Sequence, residues 1–171
     1  MDDSQARAVA VLDAISRITG NAVAWMTLAM VLVTSVIVCM RYLFEFGVIW
    51  LQESVTWMHA MVFMLGAAYT LQRDEHVRVD ILYRRMSARG RALVDAVGVL
   101  LFVLPLCGFI AYQSWGYVVS SWSMGEVSVN AGGLPYPFVP LMKSALLVMP
   151  AAVALQGASM LLRSLLTLRS A

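Results

Sequence analysis

The sequence predicts an all-α integral membrane protein: four long transmembrane helices, plus an amphipathic interfacial helix between helices 2 and 3. The first observation is that four apolar runs, at about 21–41, 54–72, 92–122 and 138–163, fill most of the 171 residues. Each approaches or exceeds the roughly 20 residues a helix needs to cross a hydrocarbon core of about 30 Å. The second is that almost every charge lies between those runs or at their ends. The third is composition, 61% hydrophobic and 13% charged, against roughly 25% charged in soluble domains. That leaves too little polar surface to dissolve the chain. The spans must be helical, because lipid cannot satisfy exposed backbone groups and the alternating segments of about 10 residues that build a barrel are absent. Residues 1–171 read as a single membrane domain with no nucleotide-binding loop, repeat or low-complexity tract, and nothing suggests nucleic acid.

The stretch Ala6 to Ile18 places apolar Ala8, Val11, Leu12 and Ile15 between Arg7, Asp13 and Arg17, which predicts a helix leading into span one. That first run is long and lacks a small-residue cleavage site, so it reads as a retained anchor. After span two, Val79, Leu82, Tyr83 and Met86 follow the i, i+3, i+4, i+7 spacing of an amphipathic helix over about 77–88. Arg78, Arg85 and Arg89 fall on another face, where arginines meet lipid headgroups; Arg78, Arg84 and Arg85 are the candidate headgroup contacts. Span three is longer than a bilayer requires, which predicts tilt, and Pro105 predicts a kink. Gly125, Gly132, Gly133, Pro135 and Pro137 mark one loop before span four, which itself carries Pro140 and Pro150.

Arginine placement orients the chain. Arg7 and Arg17 precede span one, six arginines from Arg73 to Arg91 lie between spans two and three, and Arg163 and Arg169 close span four. The opposite side has only Arg41 and Lys143, beside Glu45, Glu53 and Glu126. The positive-inside rule therefore predicts cytoplasmic termini and a cytoplasmic middle loop.

Little in the spans supports chemistry. Only two histidines exist, and His76 lies outside the membrane, so a pair of axial haem ligands from facing spans is lacking. His59, two turns into span two, is expected to hydrogen-bond between helices. The twelve methionines read as soft packing, and Cys39 and Cys107 as buried free thiols. No cofactor is expected. A self-sufficient ion-coupled transporter would carry ionisable groups or broken helices near the midplane. The deeper polar groups here are His59, Gln113, Gln156 and a few hydroxyls, while Asp95 sits at the inner start of span three. The end charges act as interface anchors or pair within the subunit or with a partner.

The order Arg41-Tyr42, then Trp50 with Glu53, then Gly66-Ala67-Ala68-Tyr69, then His76-Val77-Arg78-Val79-Asp80, and finally Gly125-Glu126 resembles the small membrane (permease) subunit of tripartite ATP-independent periplasmic (TRAP) transporters. The likeness extends from about Val31 to Leu162, and its most specific pieces are the His-Val-Arg-Val-Asp segment and Gly-Glu. It implies a non-enzymatic scaffold in a bacterial inner membrane, in a one-to-one complex with a large elevator-type subunit that carries solute and sodium. A periplasmic solute-binding protein would complete the system. Arg41, Tyr42, Trp50, Glu53, His76, Arg78 and Asp80 become the candidate interface or structural polar cluster. Arg41 and Glu53 bracket the turn between spans one and two at similar depth, close enough to pair or to act separately, and Glu126 and Asn130 are candidates for touching the binding protein. Gly66, Ala67 and Ala68 offer close approach to a helix, either a partner's or one of this bundle's. The rival readings are a membrane anchor subunit of an oxidoreductase complex and a self-sufficient small transporter.

Overall fold

The computed structural model describes residues 3–73, 83 and 85–170. Their regular structure is helical throughout: α1 (Asp3–Leu43), α2 (Ile49–Gln72), α3 (Ala88–Ser123) and α4 (Phe138–Ser170). All four are long and apolar enough to cross a membrane. The N-terminal segment and span one form one continuous helix, since no residue between them breaks the ladder.

At the described connections, several of the backbone groups that helix ends leave unpaired find partners. The amides of Phe44 and Phe46 both donate to the Met40 carbonyl, and Glu45 takes a left-handed conformation, φ 53°, as α1 ends. The first turn of α2 has no side-chain cap; the Trp50 amide instead donates to Gly132 O in the 124–137 loop at 3.1 Å. Ser87 caps α3 by accepting from the Gly90 amide at 3.2 Å. Inside α3, residues Val99–Val103 widen into a π turn, so that the Leu104 amide reaches back to the Val99 carbonyl. Pro105 follows directly. A proline lacks the N–H that an α ladder needs and clashes with the preceding turn, and this widened turn is the structure's accommodation of it.

α4 is the centre of the bundle. It packs on α1, α2 and α3, while α1 and α2 form an antiparallel pair and α3 lies chiefly along α4. The side chains between helices are small: Ala68, Ala92, Ala96, Val99 and Ala145 are buried. Small residues let helix backbones approach closely, which is how helices associate where lipid is as apolar as the core. Gly20 lies directly beneath the Tyr69 ring, and a Cβ on Gly66 would sit 3.8 Å from Val23. Gly66 thus faces α1 of its own chain, and Ala68 is only 1% exposed. α1 is the least covered of the four helices by its own chain. Cys107 is buried as expected, but Cys39 is exposed, because α1 turns that side away from α2 and α4; both thiols are free.

One end of the bundle carries both termini and the connection between α2 and α3; we call it the terminal end. The other, the loop end, carries the 44–48 turn and the 124–137 loop. The interfacial helix expected over 77–88 falls mostly outside the described residues, as do His76, Arg78, Asp80 and Arg84. Tyr83 is helical, Arg85 lies in a turn, and Ser87 precedes α3.

Candidate functional site

The polar side chains gather at the two ends, where they tie helices together. At the terminal end the centre is Asp13 of α1. Its Oδ1 accepts from Gln156 Nε2 and from the Ser159 hydroxyl, each at 3.2 Å, and its Oδ2 is ion-paired with Arg163. The Ser16 hydroxyl donates to Gln156 Oε1 at 2.7 Å, and Gln72 Nε2 of α2 donates to the Asp13 backbone carbonyl at 2.7 Å. Three helices therefore share one hydrogen-bonded knot. Gln156, Ser16 and Ser159 are buried within it, and burial of polar groups is tolerable because they satisfy one another. Nearby, the Tyr83 hydroxyl donates to Asp95 Oδ2 at 2.7 Å.

None of this knot was singled out from the sequence, apart from Gln156 as a deep polar group. A signal existed: Gln156, Ser159 and Arg163 stand at i, i+3 and i+7 on one face of an otherwise apolar helix, and Asp13 and Ser16 stand at i, i+3 on another.

At the loop end the centre is Glu53, near the start of α2. Its Oε1 accepts from the Ser128 hydroxyl at 2.6 Å and Asn130 Nδ2 at 2.7 Å, and its Oε2 accepts from the Leu134 amide at 2.7 Å. One carboxylate thus folds the 124–137 loop onto α2. Gly133 is required here, because a Cβ would run into Ser128 and the Glu53 carboxylate. The pairing of Glu53 with Arg41 that their spacing allows is not formed. Both Glu53 oxygens are turned toward the loop, and Arg41 lies exposed in the last turn of α1 with no ion pair to Glu53. Tyr42 beside it is also exposed, and the Trp50 side chain is half exposed.

A second tie joins the loop to α4. Lys143 Nζ donates to Glu126 Oε2 at 2.5 Å and stands 3.9 Å from the Tyr117 ring centroid, so α3 and α4 share the cation. The lysine holds the Glu126 carboxyl below its ordinary value of 4.5. The Ser121 hydroxyl faces the same carboxylate and adds to the shift, although it is buried without a partner at hydrogen-bonding geometry. Trp57 Nε1 donates to the Phe138 carbonyl and Trp122 Nε1 to the Ser144 hydroxyl, both at 2.8 Å. These tryptophans anchor α4 and sit where amphipathic rings favour the membrane boundary.

Of the sequence candidates, the structure brings Glu53 and Asn130 into contact, and it leaves Glu126 with Lys143 and Arg41 and Tyr42 on the outside. His59 is exposed on the membrane-facing side of α2 and makes no hydrogen bond among the described residues; its ring instead lies against Phe63, 4.8 Å between centroids. The expected bond between helices within this bundle is not formed: α1 presents Val31, Thr34 and Ser35 to that groove, and both hydroxyls donate to carbonyls of their own helix.

Two open cavities accompany the knots. One of about 460 Å³ lies at the loop end among Glu53, Trp57, Glu126, Asn130 and Lys143. One of about 430 Å³ lies at the terminal end among Gln72, Arg91, Asp95, Gln156 and Arg163. Among the described residues no three His, Cys, Asp or Glu side chains converge as a metal site would require. Chemically, the arrangement holds helices at fixed angles.

Comparison with known proteins bears on that arrangement. Residues 30–167 match the family model described as tripartite ATP-independent periplasmic transporters, DctQ component. A relative named C4-dicarboxylate TRAP transporter small permease protein DctQ, from Vibrio cholerae serotype O1, is 35% identical over 89 residues. The match takes in 52% of this chain and 38% of the relative's length. No solved structure matches the chain.

Proposed function

The chain belongs to the DctQ component family of tripartite ATP-independent periplasmic transporters, and on that premise we propose that it is the small scaffold subunit of a sodium-driven solute importer. It anchors the large elevator-type membrane subunit in a one-to-one complex and helps dock the periplasmic binding protein. A family of transporter components makes it a transport protein of the membrane and not an enzyme, and it does not favour the oxidoreductase-anchor alternative.

The observation that carries the scaffold reading is where the polar groups go. The buried hydrogen-bonding side chains at the terminal end, and Glu53 and Lys143 at the loop end, lock α1 to α4, α2 to the loop and α3 to α4. An elevator subunit needs a wall that does not yield as it slides, and a bundle pinned at both ends resists shear between helices. The apolar flanks of α1 and α3, with Trp25, Leu32, Leu101 and Phe109 exposed, supply membrane-facing surface. Solute and sodium sites belong to the large subunit in this reading. The relative's name makes a C4-dicarboxylate the first solute to test.

Both termini lie in the cytoplasm by arginine placement, which sets the loop end in the periplasm, where Glu126 and Asn130 are the contacts for a docking protein. Arg85, at the terminal end, is set among phospholipid headgroups. Cysteines at Ser87 and Ala131, in a chain lacking Cys39 and Cys107, should react from opposite sides of intact cells; reaction of the Ser87 site from outside would reverse the orientation.

Uptake into proteoliposomes tests the whole reading. Solute should accumulate under a sodium gradient only when this chain, the large subunit and the binding protein are all present. Accumulation with this chain alone would establish the self-sufficient transporter instead.

A further inference from the structure

We propose that the groove between α1 and α2 around His59 is the seat of one transmembrane helix of the large membrane subunit, which presents a hydrogen-bonding side chain to the His59 imidazole. This rests on the scaffold reading above and adds to it the face and the depth of the contact.

The groove has a volume of about 400 Å³ and is lined by Met30, Val31, Thr34, Ser35, Val55 and His59. His59 lies roughly 15 Å along α2 from Ile49 at 1.5 Å per residue, and Thr34 and Ser35 lie roughly 12 to 14 Å along α1 from Leu43. All three therefore share one depth, near the middle of a hydrocarbon core about 30 Å thick. The polar side chains of the terminal-end knot are buried and paired: Gln156 bonds Ser16 and Asp13, and Ser159 bonds Asp13. His59, and Gln113 on α3, are instead exposed at membrane depth with no hydrogen bond among the described residues, and His59 is the one that lies beside the Thr34 and Ser35 hydroxyls.

Lipid tails offer an imidazole nothing. A neutral imidazole has one donor and one acceptor nitrogen, and polar residues at that depth turn toward protein or a water-filled cavity. Thr34 and Ser35 direct their hydroxyl hydrogens to the Met30 and Val31 carbonyls at 2.7 and 2.9 Å, which leaves their oxygens able to accept. Together they form a polar strip in an apolar groove. A helix whose Asn, Gln, Ser, Thr or Tyr meets that strip satisfies it, while α1, the helix least covered by its own chain, supplies the apolar wall.

The test uses the co-expressed complex. A photoreactive phenylalanine analogue at Val55 should crosslink the large subunit, whereas the same group at Leu101 on α3 should not. His59→Leu should lower recovery of the large subunit about 3-fold to 15-fold, the range interhelical hydrogen bonds produce in a bilayer. His59→Gln should retain most of it. The isolated His59→Leu chain should unfold no more easily than wild type, because the change removes a polar group from lipid. Capture at Leu101 in place of Val55, or a Val55 product of two copies of this chain, would overturn the assignment while leaving the scaffold reading intact, as would equal destabilisation of the isolated His59→Leu chain. Failure of the wild-type chain to recover the large subunit at all would overturn both.

Discussion

Replacing Gln156 by Leu removes two of the hydrogen bonds that join α1 to α4 while nearly preserving side-chain volume, so the loss measures hydrogen bonding and not a cavity. Gln156 is 3% exposed; its Oε1 accepts from Ser16 and its Nε2 donates to Asp13. Two interhelical bonds average about 0.6 kcal/mol each in a bilayer. The Ser16 hydroxyl, 5% exposed, would be left buried without an acceptor, which costs about 1 to 3 kcal/mol more. The expected destabilisation is about 2 to 4 kcal/mol. Removing Ser16 as well eliminates the orphan, so the Ser16→Ala, Gln156→Leu double variant should lose only about 1 kcal/mol. Unfolding in mixed micelles of increasing denaturing detergent, followed by circular dichroism, reads all three. A Gln156→Leu chain as stable as wild type, or losses that add in the double variant, would show that the knot does not hold the helices.

Gly20→Ala should destabilise by about 1 to 3 kcal/mol, because its Cβ enters the Tyr69 ring; Gly98→Ala, with open space around it, should be neutral in the same unfolding assay. Gly133→Ala should loosen the loop from Glu53, seen as faster thiol labelling of a cysteine at Leu134, which is 8% exposed, in a chain lacking Cys39 and Cys107. Unchanged labelling would mean that Glu53 does not pin the loop. Glu126 gives a pH test. Its carboxyl is held below 4.5, chiefly by Lys143, so its contribution is fully present above 4.5 and is lost as pH falls through the lowered folded value. Proteolysis of the loop should therefore be constant from neutral pH down to about 5 and rise only in more acidic solution, and Glu126→Gln should make that rise smaller, Glu53 still holding the same loop.

The four spans were legible because membrane insertion writes itself into length and hydropathy, which are local properties. The centrality of α4 was not, because all four runs are apolar on nearly every face and periodicity does not mark which side is buried. The partners of Glu53 were not legible for a related reason. Arg41 is near in sequence, but three neutral donors from a loop some 75 to 81 residues away satisfy the carboxylate at short range. Asp13 and Gln156, 143 residues apart, could be found only by seeing two short polar stripes as halves of one contact. The family resemblance depended on residues at the span ends, Trp50, Glu53 and Gly125-Glu126 among them, and the structure gives two of these, Glu53 and Glu126, work in holding the 124–137 loop.

The central claim is that this bundle works as a fixed part of a larger membrane complex, and the mass of the gently solubilised particle tests it most directly. Purified through a tag on this chain from cells that also make the large subunit, the particle should have the mass of one copy of each. Recovery of this chain alone, or as an oligomer of itself, with the large subunit left in the unbound fraction, would contradict the account.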